Sequence, residues 1–458
     1  VKYFLFVNLL LFVVLANLNS GCKKPLNFSK GNLEFSRDTI VFDTVFTTIG
    51  STTQQLKIYN RENRTVVIEE IQLMGGSSSP FRINFDGLMG TNFADIELEA
   101  KDSLYTFVEV TLNPNGGVSP MVIEDSIRFR TNGKDQYIIL AAWGQDVYYH
   151  YSDISSDDLD LNEGTWPNDK PHLIYGGAFV DSAKTLNILP GTTIYLHHKA
   201  YLFNYKGTLN INGTKDDPVT LQGDRLESLY DDVSGQYYGI YFKEAKPSLV
   251  QYAEIINGTV GIHIESEGDN LGAPTVTVKN TKIYNCASYG ILNFYGGRVS
   301  AENCILAKNG YHAFINLGGS EFNFLNCHLL GYGTGDQQLP AVGISDFYQG
   351  DAFNVVGTIR NSVIHGNQEV EIVLNLSGVT TPTFNFDFNL IKSSPIQTGS
   401  YYTNTVWNGD PVFKDIAENN FEFWSTSALR NAGQNPATFF DIKGIARDGN
   451  PDIGAYEF

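Results

Sequence analysis

Two kinds of apolar periodicity divide the chain. From about Leu33 to Asp146, apolar residues alternate with polar ones in runs such as Thr39-Ile40-Val41-Phe42, Gln55-Leu56-Lys57-Ile58-Tyr59, Thr65-Val66-Val67-Ile68, Phe107-Val108-Glu109-Val110 and Tyr137-Ile138-Ile139-Leu140. Turn formers separate them: Gly75-Gly76, Asn113-Pro114-Asn115-Gly116-Gly117 and Asn132-Gly133. A period of two, broken by Gly, Pro and Asn, predicts half-buried strands, about seven of them in ~115 residues. That count and spacing predict an immunoglobulin-like β-sandwich over residues 33–146. No His or Cys falls in this stretch, and its carboxylates scatter over turn edges, so it reads as a spacer or interaction module.

Beyond residue 170 the pattern repeats. Asn280-Thr-Lys-Ile-Tyr-Asn285, Asn303-Cys-Ile-Leu-Ala-Lys-Asn309, Asn326-Cys-His-Leu-Leu-Gly331 and Asn361-Ser-Val-Ile-His-Gly-Asn367 align at offsets of 23, 23 and 35. Tyr252-Ala-Glu-Ile-Ile-Asn257 and Asp387-Phe-Asn-Leu-Ile391 extend the series by 28 and 26. A period in the low twenties predicts a single-stranded parallel β-helix of three short strands per coil, stacked about 4.8 Å apart. Ile283, Ile305, Leu329 and Val363 are expected to point inward. The repeated Asn suits a sharp corner, because Asn tolerates the left-handed backbone. The 35-residue interval predicts an excursion over Thr334–Asp351. The acidic, turn-rich stretch 147–170 reads as a linker.

Composition agrees with an all-β protein. Of 458 residues, 44 are Gly, 25 Tyr and 30 Phe, and aromatics fit a pleated surface while Gly closes turns. With 31 Lys+Arg against 50 Asp+Glu the net charge is −19, which excludes a nucleic-acid partner, since that requires a basic footprint. Cys286, Cys304 and Cys327 are too few for a disulfide framework and read as buried thiols, with Cys304 and Cys327 stacked on adjacent coils.

Lys2, the apolar run from Tyr3 to Leu18, and Asn19-Ser20-Gly21 before Cys22 resemble a bacterial lipoprotein signal. That resemblance implies a signal peptide over 1–21, lipidation of Cys22, a tether over 22–32, and contact with a membrane through the lipid anchor. The stretches Pro171-His-Leu-Ile-Tyr-Gly176, Leu186-Asn-Ile-Leu-Pro-Gly-Thr-Thr-Ile-Tyr195, Gly207-Thr-Leu-Asn-Ile-Asn-Gly213, Pro218-Val-Thr-Leu-Gln-Gly-Asp-Arg225 and Gly239-Ile-Tyr-Phe242 resemble right-handed parallel β-helix proteins of exported Bacteroidetes lipoproteins. Asp441-Ile-Lys-Gly444 through Asn450-Pro-Asp-Ile-Gly-Ala-Tyr-Glu-Phe458 is similar to a choice-of-anchor Q terminus. The resemblance implies a β-helix over 171–440, a capping motif over 441–458, and an outer-membrane lipoprotein whose periplasmic or surface face stays open. Asp-Ser/Thr followed by an apolar residue resembles the O-glycosylation motif of the same group, which implies modification at Thr39, Thr44, Ser103, Ser126 and Ser182. The plain alternative is that these residues serve turns.

The scaffold hosts lyases, hydrolases and adhesins, so activity has to come from a site. No column of carboxylates stacks at equivalent coil positions. Asp158-x-Asp160-x-Asn162 starts like a calcium loop, but Gly164 comes one step late and the closing Glu is absent. Glu265-x-Glu267-x-Asp269 is the remaining place for a cation, so no cofactor is expected beyond calcium there. His263, His312, His328 and His365 fall in different columns and make no metal set. Recurring aromatics near turns, with Tyr237, Tyr238, Tyr295 and Tyr348 as the leading candidates, suit stacking against sugars. The expected function is a non-catalytic envelope lipoprotein presenting a β-helix face to polysaccharide or envelope proteins. The alternative is a polysaccharide lyase or glycoside hydrolase working through loops on that face.

Overall fold

The computed structural model describes residues 28–114, 116, 121–156, 158–266, 273–333, 339–435 and 438–458. The apolar start, Cys22, Glu267 and Asp269 lie outside the described residues. Among those described, regular structure consists of strands and three single-turn 3-10 segments, and no helix is long and apolar enough to cross a membrane. The chain divides into two compact units, 1–146 and 147–458.

The first unit is a sandwich of two five-stranded sheets. One contains Glu34–Phe35, Gln54–Tyr59, Ser103–Val110, Phe81–Phe85 and Leu88–Gly90, and the other Thr39–Phe46, Lys134–Gln145, Met121–Thr131, Val66–Leu73 and Asn92–Leu98. Each run expected as a strand lies in one, and alternation sends Ile40, Phe42, Leu56, Ile58, Ile68, Val108 and Leu140 into one core. Asn132 and Gly133, at φ 52° and 72°, make the hairpin turn between the two longest strands, a conformation those residue types favour.

The second unit is a parallel β-helix of three sheets, here A, B and C in the order each coil visits them. Sheet A has eleven strands, from Tyr148–Tyr151 to Val406–Trp407, sheet B eight, from Gly177–Val180 to Ile372–Asn375, and sheet C ten, from Gly164–Trp166 to Tyr402–Thr403. The stretch expected as a linker over 147–170 is corrected by this pairing. Tyr148–Tyr151 pairs in parallel with His172–Tyr175, and Gly164–Trp166 with Thr185–Ile188, so these residues form the first coil. The acidic turn residues between them masked two short strands.

On sheet A the inward column runs Ile194, Leu221, Ile255, Ile283, Leu306, Leu329, Ile364 and Ile391, all fully buried. Each contributes roughly 1.5–3 kcal/mol by leaving water. Ile283 and Leu329 are where the sequence puts them. Ile305 and Val363 instead stand one residue out of phase, on the outer surface of sheet A. They stay buried because the C-terminal segment covers them, together with Tyr284, Leu330 and Leu390, by Phe421, Leu429, Ile442, Ile453 and Tyr456. The motif at 441–458 is therefore not an end cap. Its Gly454 N–H donates to Asn361 O (2.7 Å), and Arg447 donates to Asn303 Oδ1 (3.2 Å), so the segment runs along the flank of several coils. The 35-residue interval is likewise not one excursion, because it contains the sheet B strand Val342–Ser345 and a separate hairpin of Phe347–Tyr348 with Asp351–Ala352.

The corner between sheets C and A explains the repeated Asn. Asn280, Asn303, Asn326 and Asn361 all have φ between 47° and 53°, and Asn303 Nδ2 donates to Asn280 Oδ1 at 3.1 Å. Higher up, the amides leave the ladder and hold the C-terminal segment: Asn326 donates to Gly454 O and Asn361 to Gln434 O. One residue on, Cys304, Cys327, Ser362 and Asn389 form an inner ladder. Cys304 N–H donates to Cys327 Sγ (3.5 Å), Cys327 N–H to Ser362 Oγ (3.0 Å), and Ser362 N–H to Asn389 Oδ1 (2.9 Å). All three cysteines are free and buried, and burial pushes the Cys286 thiol up to about 12. A buried thiol far above neutral pH is inert. Cys286, Cys304 and Cys327 are expected to resist a thiol reagent in the native protein and to react fully in denaturant, as a spectrophotometric titration would read directly.

Candidate functional site

The three outer faces of the β-helix differ in chemistry. Sheet A is covered over its later coils by the C-terminal segment. A cavity of about 420 Å³ persists at the edge of that cover, but its lysines are engaged, Lys282 by Glu254 at 2.8 Å and Lys443 by Glu422 at 2.9 Å. Sheet C carries Asn210 on Asn187 and Asn323 near Ser300, flanked by the ion pairs Lys279–Glu302 and Arg298–Glu321. That is an ordinary solvated surface, whose pairs contribute little. Sheet B is the exception.

Along sheet B, the parallel register stacks Phe179, Phe203, Tyr241, His263, Leu292 and Ile315 in one outward column. Period-two alternation produces it: Leu202, Ile240, Ile262 and Ile291 point inward and their neighbours outward. Phe203 lies 5.0 Å from Tyr241 at 61°, and Tyr241 lies 4.2 Å from His263 at 2°. In the next column Tyr205, Lys243, Glu265 and Phe294 align. Glu265 accepts from the Tyr241 hydroxyl and from Lys243 Nζ at 3.1 Å. Burial raises the Glu265 carboxyl, but these two donors outweigh it and hold the group below the ordinary range. Burial, with the Glu265 charge second, pushes the Tyr238 phenol up to about 12. Burial pulls His263 down to about 4, so its ring is neutral at pH 7, and its Nδ1 lies in hydrogen-bond contact with Tyr238 Oη at 2.7 Å.

Of the four candidate tyrosines, three rim this face and one does not. Tyr238 touches His263, Tyr348 meets Phe294 edge-on at 4.7 Å, and Tyr295 meets Phe353 edge-on at 5.2 Å. Tyr238, His263, Phe294 and Tyr348 thus make one continuous aromatic chain. Tyr237 is fully buried, with its hydroxyl within reach of the Leu221 and Ile256 carbonyls, so it is a core residue and not a stacking platform. Adjacent residues on an extended backbone face opposite ways, and here Tyr238 takes the outward place. Tyr241 and Phe203 are the functional candidates that local sequence missed, and His263 enters there only as a metal ligand to be weighed; the signal is the aromatic at every other position of Tyr201-Leu-Phe-Asn-Tyr205, which Tyr241 continues on the next coil.

The sequence also gave no sign of two histidine sites in the first coils. His197 Nδ1 lies 2.7 Å from Asp224 Oδ2, and Tyr175 stacks on the His197 ring at 3.9 Å. Asp224 is nearly buried and His197 is two-fifths exposed, so the carboxylate fixes a ring that faces solvent. His150 bridges Asp160 (2.7 Å) and His172 (2.9 Å) beneath Trp166. This use of Asp160, and the Trp166 donor on Asn162 Oδ1, place the half calcium loop in the hydrogen bonding of the first coil. Among the described residues no three His, Cys, Asp or Glu side chains converge on a metal geometry. Thr39, Thr44, Ser103 and Ser126 are half-exposed and Ser182 exposed. Asp43, Asp102 and Asp125 each accept the backbone N–H of the following Thr or Ser at 2.7–2.8 Å, the turn role such residues commonly serve.

Residues 207–329 match the family model described as a right handed beta helix region. No curated protein matches the sequence. Among solved structures, the chain is similar to a family 123 glycoside hydrolase from Clostridium perfringens, with 9% identity, TM-score 0.19 and coverage of 25% of this chain and 26% of that one. The chain thus spans about a quarter of that hydrolase. A PapD-like domain of human CEP192 matches at 13% identity, TM-score 0.18, over 27% of this chain and 91% of that one. The catalytic unit of a GH87 α-1,3-glucanase from Streptomyces thermodiastaticus matches at 8% identity, TM-score 0.26, over 77% and 89%. The chain is an all-β protein in which a β-sandwich is followed by a right-handed parallel β-helix.

Proposed function

We propose that the protein is an exported envelope lipoprotein, anchored through Cys22, whose β-helix binds glycan on the outer face of sheet B. The observation that carries this reading is the aromatic column Phe203–Tyr241–His263 with its rim of Tyr238, Phe294 and Tyr348, half-buried on the outer face of sheet B between the buried Phe179 and Ile315. Rings packed on one another offer edges and tilted faces to a ligand, and the Tyr241–Glu265–Lys243 cluster offers hydrogen bonds to sugar hydroxyls. Glycoside hydrolysis by the usual route needs two carboxyl groups flanking the bond. Sheet B strands supply one, Glu265, and its oxygens are engaged, which favours binding over cleavage.

A catalytic reading rests on a separate observation, the His197–Asp224 pair, in which a carboxylate orients an exposed imidazole suited to proton transfer. A glycan-array screen with mass spectrometry of the products separates the two. Binding without cleavage is expected, and Tyr241→Ala and Phe294→Ala should each weaken it about tenfold, ~1.4 kcal/mol. Shortened or unsaturated products that vanish in His197→Ala would establish the catalytic reading instead. Unchanged affinity in both aromatic variants would remove the sheet B site.

A further inference from the structure

The charge pattern of sheet B specifies the ligand further. Its eight strands contain one lysine and one glutamate, Lys243 and Glu265, and these pair with each other at 3.1 Å. The chain as a whole carries −19, whereas the strands of this face carry no net charge. Next to the face, Arg225 is paired with Glu227 at 3.0 Å and Lys206 with Glu244 at 3.0 Å. The neutral His263 adds no charge either.

From this we infer that the sheet B site selects uncharged glycans and rejects uronate-bearing or sulfated ones; the inference rests on the binding reading above. A carboxylate placed over Tyr241 would lie beside the Glu265 carboxylate, and the one positive charge of the face, Lys243, is already balanced by Glu265. Binding there would require breaking the Lys243–Glu265 pair or leaving like charges adjacent in a half-buried site, where they are screened less than in open water. An uncharged sugar meets neither obstacle: its ring C–H groups contact aromatic surface, and its hydroxyls donate to Glu265 or accept from Lys243 without disturbing their pairing.

The test uses the full chain, with affinity electrophoresis against neutral polymers (β-glucan, mannan, xylan) and acidic ones (polygalacturonate, alginate, chondroitin sulfate), each at low and high salt. Retardation by at least one neutral polymer, insensitive to salt, with no retardation by the acidic set, is the expected result. Glu265→Gln leaves Lys243 without its carboxylate partner and should gain at least tenfold in affinity for an acidic polymer, lost again at high salt. Its thermal melt checks that the fold is intact, and Lys243→Met serves as the reciprocal variant that must not gain. Wild-type binding to acidic polymers at equal or greater strength overturns the inference while leaving glycan binding standing. Absence of retardation by every polymer overturns both.

Discussion

Replacing Arg447 with methionine is expected to destabilise the β-helix unit by roughly 3–5 kcal/mol, the range for removing one partner of a buried ion pair. The guanidinium is 2% exposed and Glu457 6%. Arg447 donates to Glu457 Oε2 (2.9 Å), to the carbonyls of Gly454 (2.7 Å) and Asp452 (3.2 Å), to Thr438 Oγ1 (3.0 Å) and to Asn303 Oδ1 (3.2 Å). Without it, Glu457 is left buried beside Asp452, whose carboxyl burial already raises. At ~2.1 cal/mol/K per residue of unfolding entropy, the loss lowers the melting temperature of a unit this size by roughly 5–8 °C. Lysine should rescue little, since one ammonium cannot span carbonyls and carboxylates in a fixed fork. Differential scanning calorimetry decides it; a methionine variant melting within a degree of wild type would show that the network contributes nothing net.

The same geometry sets what truncation of 441–458 should do. Its loss opens the flank of sheet A over Tyr284, Ile305, Leu330 and Val363, a continuous apolar stripe. Such a stripe invites association. This cover was legible in the sequence, though not at the level of single-residue alignment. Ile305-Leu306-Ala307, Leu329-Leu330 and Leu390-Ile391 are apolar at both parities, as strands buried on both faces are. Taking one apolar residue per coil as inward placed Ile305 and Val363 on the wrong side. The repeat and its Asn corner were readable because left-handed φ restricts residue type, whereas the sheet B site depends on register between coils more than twenty residues apart. Tyr241 meets His263 only because their strands pair, and His197 meets Asp224 across 27 positions. No local pattern encodes either contact.

Acid is expected to destabilise the β-helix steeply between pH 6.5 and 4. Burial holds His172, His263 and His365 down at about 4 and His328 at about 3, against about 6.5 in the unfolded chain. Through that interval the unfolded chain binds protons that the folded one refuses, so stability falls as pH falls, by at most roughly 3 kcal/mol for each ring. Glu371 opposes them. Burial raises its carboxyl to about 7, so the folded state binds the extra proton between 4.5 and 7, and this one contribution improves on acidification. Burial also lowers His312 and raises Asp452, so five rings stand against two carboxyls and the histidines remain dominant. His328 is the sharpest probe: it is fully buried beneath the C-terminal segment, beside Phe413 and Tyr456, and neither ring nitrogen has a protein partner. Replacing an unpaired buried polar group by an apolar one removes a desolvation cost of about 1–3 kcal/mol. His328→Leu is therefore expected to be at least as stable as wild type at pH 7.5 and to gain further at pH 5, with denaturant midpoints at the two values as the measurement. If the variant loses as much stability on acidification as the parent, His328 is not among the groups that make the fold acid-labile.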